Sequence, residues 1–177
     1  MKKIYIVQTH SSTRVSKIIK VFTKSEFTHV SISLNKKLTK MYSFGRRVVK
    51  NPFNSGFVVE KLTGEFYKKY SNTHCRVFEI DITYFQYMSL KNILKKYEKD
   101  PMKYGYDIIG LLTRIFRVSV NRKNKYVCSQ FIAQLLEDSD IYSFNKNNLK
   151  VKPSDFNDLP YKIVYIGKLV DYQFLNW

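Results

Sequence analysis

Two cysteines in 177 residues, Cys75 and Cys128, are too few for a disulfide framework and point to a reducing, cytoplasmic setting. The three histidines, His10, His29 and His74, stand in no ligand spacing with them, so neither a metal nor another cofactor is called for. No apolar run approaches the roughly 20 residues that a membrane-crossing helix needs. The opening "MKKIYIVQTHSS" has two lysines but a short apolar stretch, below the core length of a signal peptide, and is better read as a first strand. No segment is repeated or low in complexity. Acidic residues are scarce: 14 Asp and Glu face 31 Lys and Arg, a formal charge of +17.

Hydrophobic residues make up 44% and aromatics 16%, which excludes a disordered chain, and the length suits one globular domain over 1–177. The positive charge admits anionic lipid, anionic cell-wall polymer or nucleic acid as partners over about a Debye length. Nucleic acid is disfavoured, because the lysines are scattered ("KKL", "KKY", "NRKNKY") and no recognition motif or dense basic helix is present.

Periodicity divides the chain further. "KIYIVQ" reads as a strand, and "THSST" caps a helix expected over about 13 to 24. "THVSISL" and "TKMYSFG" form an antiparallel hairpin with Val30, Ile32 and Leu34 on one face and His29, Ser31 and Ser33 on the other. Residues 46–56 read as a loop on the evidence of Asn-Pro and Gly, followed by a short strand "FVVEKL". A strand over 75–83, helices over 84–99 and 104–116, a helix opening at Cys128, a turn at "KPSDF" and a strand over 161–170 complete the pattern. Helices mixed with hairpin-connected strands argue for an α+β fold, an antiparallel sheet packed against helices.

The chemistry centres on "KYVCSQFIAQLLE". Cys128 at the first turn of a helix sits beside unpaired backbone N–H groups and the positive end of the helix dipole, both of which favour thiolate. Packing of a small buried thiol is the competing reading. His29, on the polar face of its hairpin, is the candidate imidazole for such a thiolate, whereas His10 lies in the polar turn after the first strand and His74 at a strand entry, where a solvated side chain is expected.

Four blocks together resemble a known family. "TRVSKIIKVFTKSEFTHVSISL" closely resembles the amino-terminal block of the permuted NlpC/P60 superfamily, the YiiX-like group of papain-fold cysteine peptidases and amidases. "YGYDIIGLL", "YVCSQFIAQLL" and "KPSDF" resemble, in order, the helix before the nucleophile, the nucleophile helix and the Pro-x-D turn after it. The resemblance implies a circularly permuted papain-like fold with Cys128 as nucleophile and His29 as general base. It places a third, ring-orienting polar residue on the strand after the histidine, where Tyr42 or Ser43 stands, with Glu79 a substitute if its strand is adjacent. It also assigns Tyr106 to the wall of the substrate site near an oxyanion hole built on the backbone N–H of Cys128. The implied activity is a cysteine hydrolase or acyltransferase acting on an amide, ester or thioester, with cell-wall peptides and lipid-linked acyl groups among the family's substrates. The alternative is a catalytically impaired papain-like module that holds an anionic polymer or membrane surface.

Overall fold

Strands that are apolar on both sides must be covered on both sides, and the first strand sets this rule for the protein. In the computed structural model, which describes residues 1–11, 13, 26–115 and 121–175, strand β1 (Lys2–His10) buries Ile4 and Ile6 on one face and Tyr5 and Val7 on the other. It lies inside an eight-stranded sheet of order β7-β6-β4-β3-β2-β1-β5-β8. The other strands are β2 (His29–Ser33), β3 (Met41–Val48), β4 (Asn51–Glu60), β5 (His74–Ile82), β6 (Gly105–Tyr106), β7 (Lys125–Tyr126) and β8 (Lys162–Lys168). Neighbours pair antiparallel except the short outer pair β6 and β7, which is parallel. The architecture is α+β.

One face carries α2 (Tyr84–Lys99) and α4 (Cys128–Asp138), whose Leu90, Leu94, Phe131, Ile132 and Leu135 close the larger core over Val30, Ile32 and Phe44. Phe131 stands edge-on to Phe44, Phe57 and Tyr97, with ring centres 4.8, 5.8 and 5.0 Å away. The opposite face is covered by the short α1 (Glu65–Lys69) and a final 3-10 segment, Leu169–Phe174, which bury Tyr67, Leu169 and Tyr172 against Val7, Met41 and Val77.

Local chemistry accounts for the element ends. Helix α2 starts at Thr83, whose side chain accepts from the Gln86 N–H at 3.2 Å while the Gln86 side chain accepts from the Thr83 N–H at 2.9 Å, a reciprocal capping box. Thr83→Ala should lower unfolding free energy by about 1 kcal/mol in chemical denaturation, with no other change in the fold. An unchanged midpoint would mean the box adds nothing.

The structure revises two sequence-level expectations. Residues 46–56 are not a loop: β3 and β4 continue through them as a hairpin, in register from Met41↔Glu60 to Val48↔Asn51 with one irregularity between Arg46 and Val48. Asn-Pro and Gly read as breakers, but Pro52 lies near the hairpin tip and Gly56 packs beneath the Arg47 side chain, both places where strands tolerate them. The helix expected over 104–116 begins only at Ile108 (α3, Ile108–Ile115), because Gly105 and Tyr106 first pair with β7 and Asp107 then receives the Gly110 N–H at 2.9 Å. The expected helix over 13–24 lies, apart from Thr13, outside the described residues.

Candidate active site

Helix α4 begins on Val127, which supplies no side-chain cap, so the first-turn N–H groups are left for other acceptors. One acceptor is the Cys128 sulfur itself, which receives backbone hydrogen bonds from Val30 and Ser129. The start of the helix is fixed from the other side: the Ser129 hydroxyl donates to the Val151 carbonyl at 2.6 Å, and Gln8 of β1 donates to the Pro153 carbonyl at 2.5 Å. The "KPSDF" segment therefore ties the head of α4 to the centre of the sheet. Its Asp155 carboxylate closes the turn by accepting from the Lys152 N–H at 2.7 Å and pairing with Lys146 at 2.8 Å.

His29 is the first residue of β2, and α4 packs across β2 and β3. Its ring is hydrogen-bonded to the Cys128 thiol. Nε2 is engaged by Glu60 Oε1 at 2.8 Å, which leaves Nδ1 as the nitrogen for sulfur. Glu60, the last residue of β4, also accepts from the hydroxyls of Ser43 on β3 and Tyr67 on α1. Thr9 of β1 in turn hydrogen-bonds the Tyr67 hydroxyl. A continuous polar chain thus runs from Cys128, in the core under α4, past the end of β2 to Tyr67, in the core under α1.

The electrostatics follow from that chain. Burial alone would raise the Cys128 thiol, but the hydrogen bond and charge of His29, with the Val30 and Ser129 backbone bonds, hold it below the ordinary thiol range. Burial opposes the charged form of His29 too, and the Glu60 carboxylate and Cys128 together raise it well above an ordinary histidine. Burial would push Glu60 up, yet His29, Ser43 and Tyr67 bring it below the usual carboxylate range. These interactions favour thiolate, imidazolium and carboxylate in a row. Cys75 shows the contrast: fully buried, with Asp171 the nearby charge, its thiol is pushed up to about 12.

Cys128 and His29 are thus brought together, and Ser43 joins them through Glu60. The other expected partners lie elsewhere. Tyr42 points into the larger core, stacked on Phe57 with ring centres 6.4 Å apart, and its hydroxyl reaches Glu98 at 3.2 Å, so it does not orient the imidazole. Glu79 is held by Lys3 and by the Tyr5 hydroxyl at 2.9 Å. Its strand lies beyond β1 from β2, and Tyr5↔Glu79 is four residues along β1 from Thr9↔His29, roughly 13 Å at strand spacing. Tyr106 pairs in register with Tyr126, two residues ahead of Cys128, and packs against the larger core.

Glu60 is the residue that sequence reasoning missed. The signal was the hairpin register: with "RRVVKNPFNSG" read as strand, Glu60 falls opposite Met41 and diagonal to Ser43, one strand further out than the place examined for a ring-orienting group. A groove of about 440 Å³ lined by Glu60, Tyr67, Val58 and Arg46 opens on this side. Cys128 is 5% exposed and the His29 side chain 24%, so the imidazole is the more accessible member of the pair.

Among the described residues no group of three His, Cys, Asp or Glu side chains is placed to hold a metal ion, and no helix is long and apolar enough to cross a membrane. Comparison with protein-family models, with curated proteins and with solved structures returns no match to this chain.

Proposed function

We propose that the protein is a cysteine-dependent hydrolase or acyltransferase of the permuted NlpC/P60, papain-like kind, with Cys128 as nucleophile, His29 as acid and base, and Glu60 orienting and charging the imidazole. The observation that carries this reading is the chain from the Cys128 sulfur through the His29 ring to the Glu60 carboxylate. A packed core cysteine has no use for a histidine held in its charged form beside it. The chain order, with the histidine strand ahead of the cysteine helix and an antiparallel sheet beneath both, supports the permuted family assignment.

The reaction follows from where the charges stand. The Cys128 thiolate adds to the carbonyl carbon of an amide, ester or thioester, forming a C–S bond and moving the carbonyl π electrons onto oxygen. The backbone N–H of Cys128, at the start of α4, is the donor we assign to that oxyanion. Collapse breaks the bond to the leaving group, which takes the proton of the His29 imidazolium. Neutral His29 then removes a proton from water or another acceptor as it attacks the thioester, the C–S bond breaks, and the thiolate–imidazolium pair is restored. We assign substrate contact to Tyr106, whose strand runs beside the one that feeds Cys128, and a supporting role on Glu60 to Ser43.

Incubation with p-nitrophenyl acetate tests the reading. The expected result is a burst of p-nitrophenolate and an acetyl adduct that peptide mass spectrometry places on Cys128, neither of which appears with Cys128→Ser. An unacylated Cys128 in a folded chain that turns over none of a panel of ester, thioester and amide donors would overturn it.

A further inference from the structure

The β3–β4 hairpin projects beyond the rest of the sheet. Gly45, Gly56 and Gly105 form a row across β3, β4 and β6. The pairing Ile32↔Tyr42 sets His29 at the level of Gly45, three residues further along each strand. Past that row residues 46–55 pair in the sheet only with one another, and the Arg47 guanidinium is held by the Pro101 and Tyr104 carbonyls, both at 2.6 Å. Strand β6 runs antiparallel to β4 and so heads toward the hairpin tip, and α3 starts two residues after it ends.

Several large apolar side chains are exposed at this end. Phe53 is 83% exposed and Val48 45% at the tip, and Ile108 and Ile109 are 37% and 54% exposed on the first turn of α3. Apolar side chains gathered at one end, rather than scattered singly, mark a surface that meets something. The two segments that carry them have charge of one sign. Between Gly45 and Gly56 stand Arg46, Arg47 and Lys50 and no carboxylate, and α3 has none either. Asp107, just before α3, is buried and paired with Arg122 at 3.2 Å.

We infer that this end docks on an anionic lipid bilayer, with Phe53, Val48 and the first turn of α3 entering the headgroup region and Arg46 and Lys50 meeting the lipid phosphates. Phosphates satisfy the cations, and the acyl boundary supplies the apolar phase that exposed Phe and Ile side chains gain from. A nucleic-acid duplex offers the first and not the second. Docking this way also brings lipid-borne acyl groups to the end of the sheet where His29 opens β2. That consequence rests on the hydrolase reading, whereas the docking itself does not.

Co-sedimentation of the full chain with phosphatidylcholine vesicles, with and without phosphatidylserine, tests the docking. The expected result is partition onto the phosphatidylserine vesicles, weakened by salt, and equal for wild type and Cys128→Ser. Lys50→Glu, Phe53→Ser and Ile109→Ser should each lower partition about fivefold or more, the scale of one juxtamembrane charge. All three positions are exposed, so the far-ultraviolet circular dichroism should not change. The inference is overturned if the chain ignores phosphatidylserine vesicles, or if it binds them equally well without Phe53 and Ile109. It is also overturned if those substitutions abolish self-association or DNA binding and leave vesicle binding intact. Loss of acylation in Cys128→Ser with retained vesicle binding would separate the two readings.

Discussion

In His29→Ala, alkylation of Cys128 by iodoacetamide at pH 7 is expected to slow by up to about 30-fold, the drop in thiolate fraction when a fully ionised thiol returns to a pKa of about 8.5. Part of that loss is recovered because a more basic thiolate is the better nucleophile, with a Brønsted slope of about 0.4 to 0.5. In the wild type the rate should rise less steeply through neutral pH than for an ordinary thiol, since the Cys128 thiol is held below its ordinary range by His29 and the Val30 and Ser129 backbone bonds. In His29→Ala it should climb about tenfold per pH unit, as for any thiol titrating at high pH. Cys75, fully buried and pushed up to about 12, is the internal control and should stay unmodified in both. Site-resolved mass spectrometry reads both cysteines in one sample. A wild-type rate that climbs with pH and ignores His29→Ala would mean a packed thiol, and the basic, papain-like binding module would be the better account.

How far the site could be read from the amino-acid sequence depended on how local each signal was. Cys128 and His29 were legible because each sits at an element boundary with its own marker: a helical apolar face that starts at the cysteine, and a strand whose alternation puts the histidine opposite Val30 and Ile32. Glu60 was not, because its role depends on pairing across the 41–60 hairpin, and Asn-Pro with Gly56 hid that pairing by resembling a loop. Tyr42 was misplaced for a related reason. It is the neighbour of Ser43 in sequence, but strand alternation sends it to the core with Phe57 and Glu98 while Ser43 faces Glu60. A one-residue step in a strand changes the face, and only the three-dimensional register says which face holds the site. The α+β class was more accessible, since it follows from element type and order and not from any single pairing.

Glu60 is also where the largest stability effect is expected. Glu60→Ala removes the acceptor for His29, Ser43 and Tyr67 together, and should lower unfolding free energy by about 3 to 5 kcal/mol, the cost of leaving a largely buried charge and its donors without a partner. Glu60→Gln keeps the shape and one acceptor oxygen and should cost less, about 1 to 3 kcal/mol. The two variants differ from wild type in pH dependence as well as size. Glu60 is held below the usual carboxylate range, so its contribution is fully present above the ordinary glutamate value of about 4.3 and is lost as pH falls through the lowered folded value. His29 is raised, so its contribution is present below about 6.5 and is lost as pH rises through the raised folded value. Removing the carboxylate takes away the acid limb and, by releasing the imidazole toward its ordinary value, shrinks the alkaline loss and confines it to a narrower window above about 6.5. Urea unfolding of wild type and Glu60→Gln across acid, neutral and alkaline buffers would show both changes. Parallel pH profiles for the two proteins would mean that the Glu60 carboxylate does not hold the charge on His29, and the imidazolium in the proposed mechanism would then lack its support.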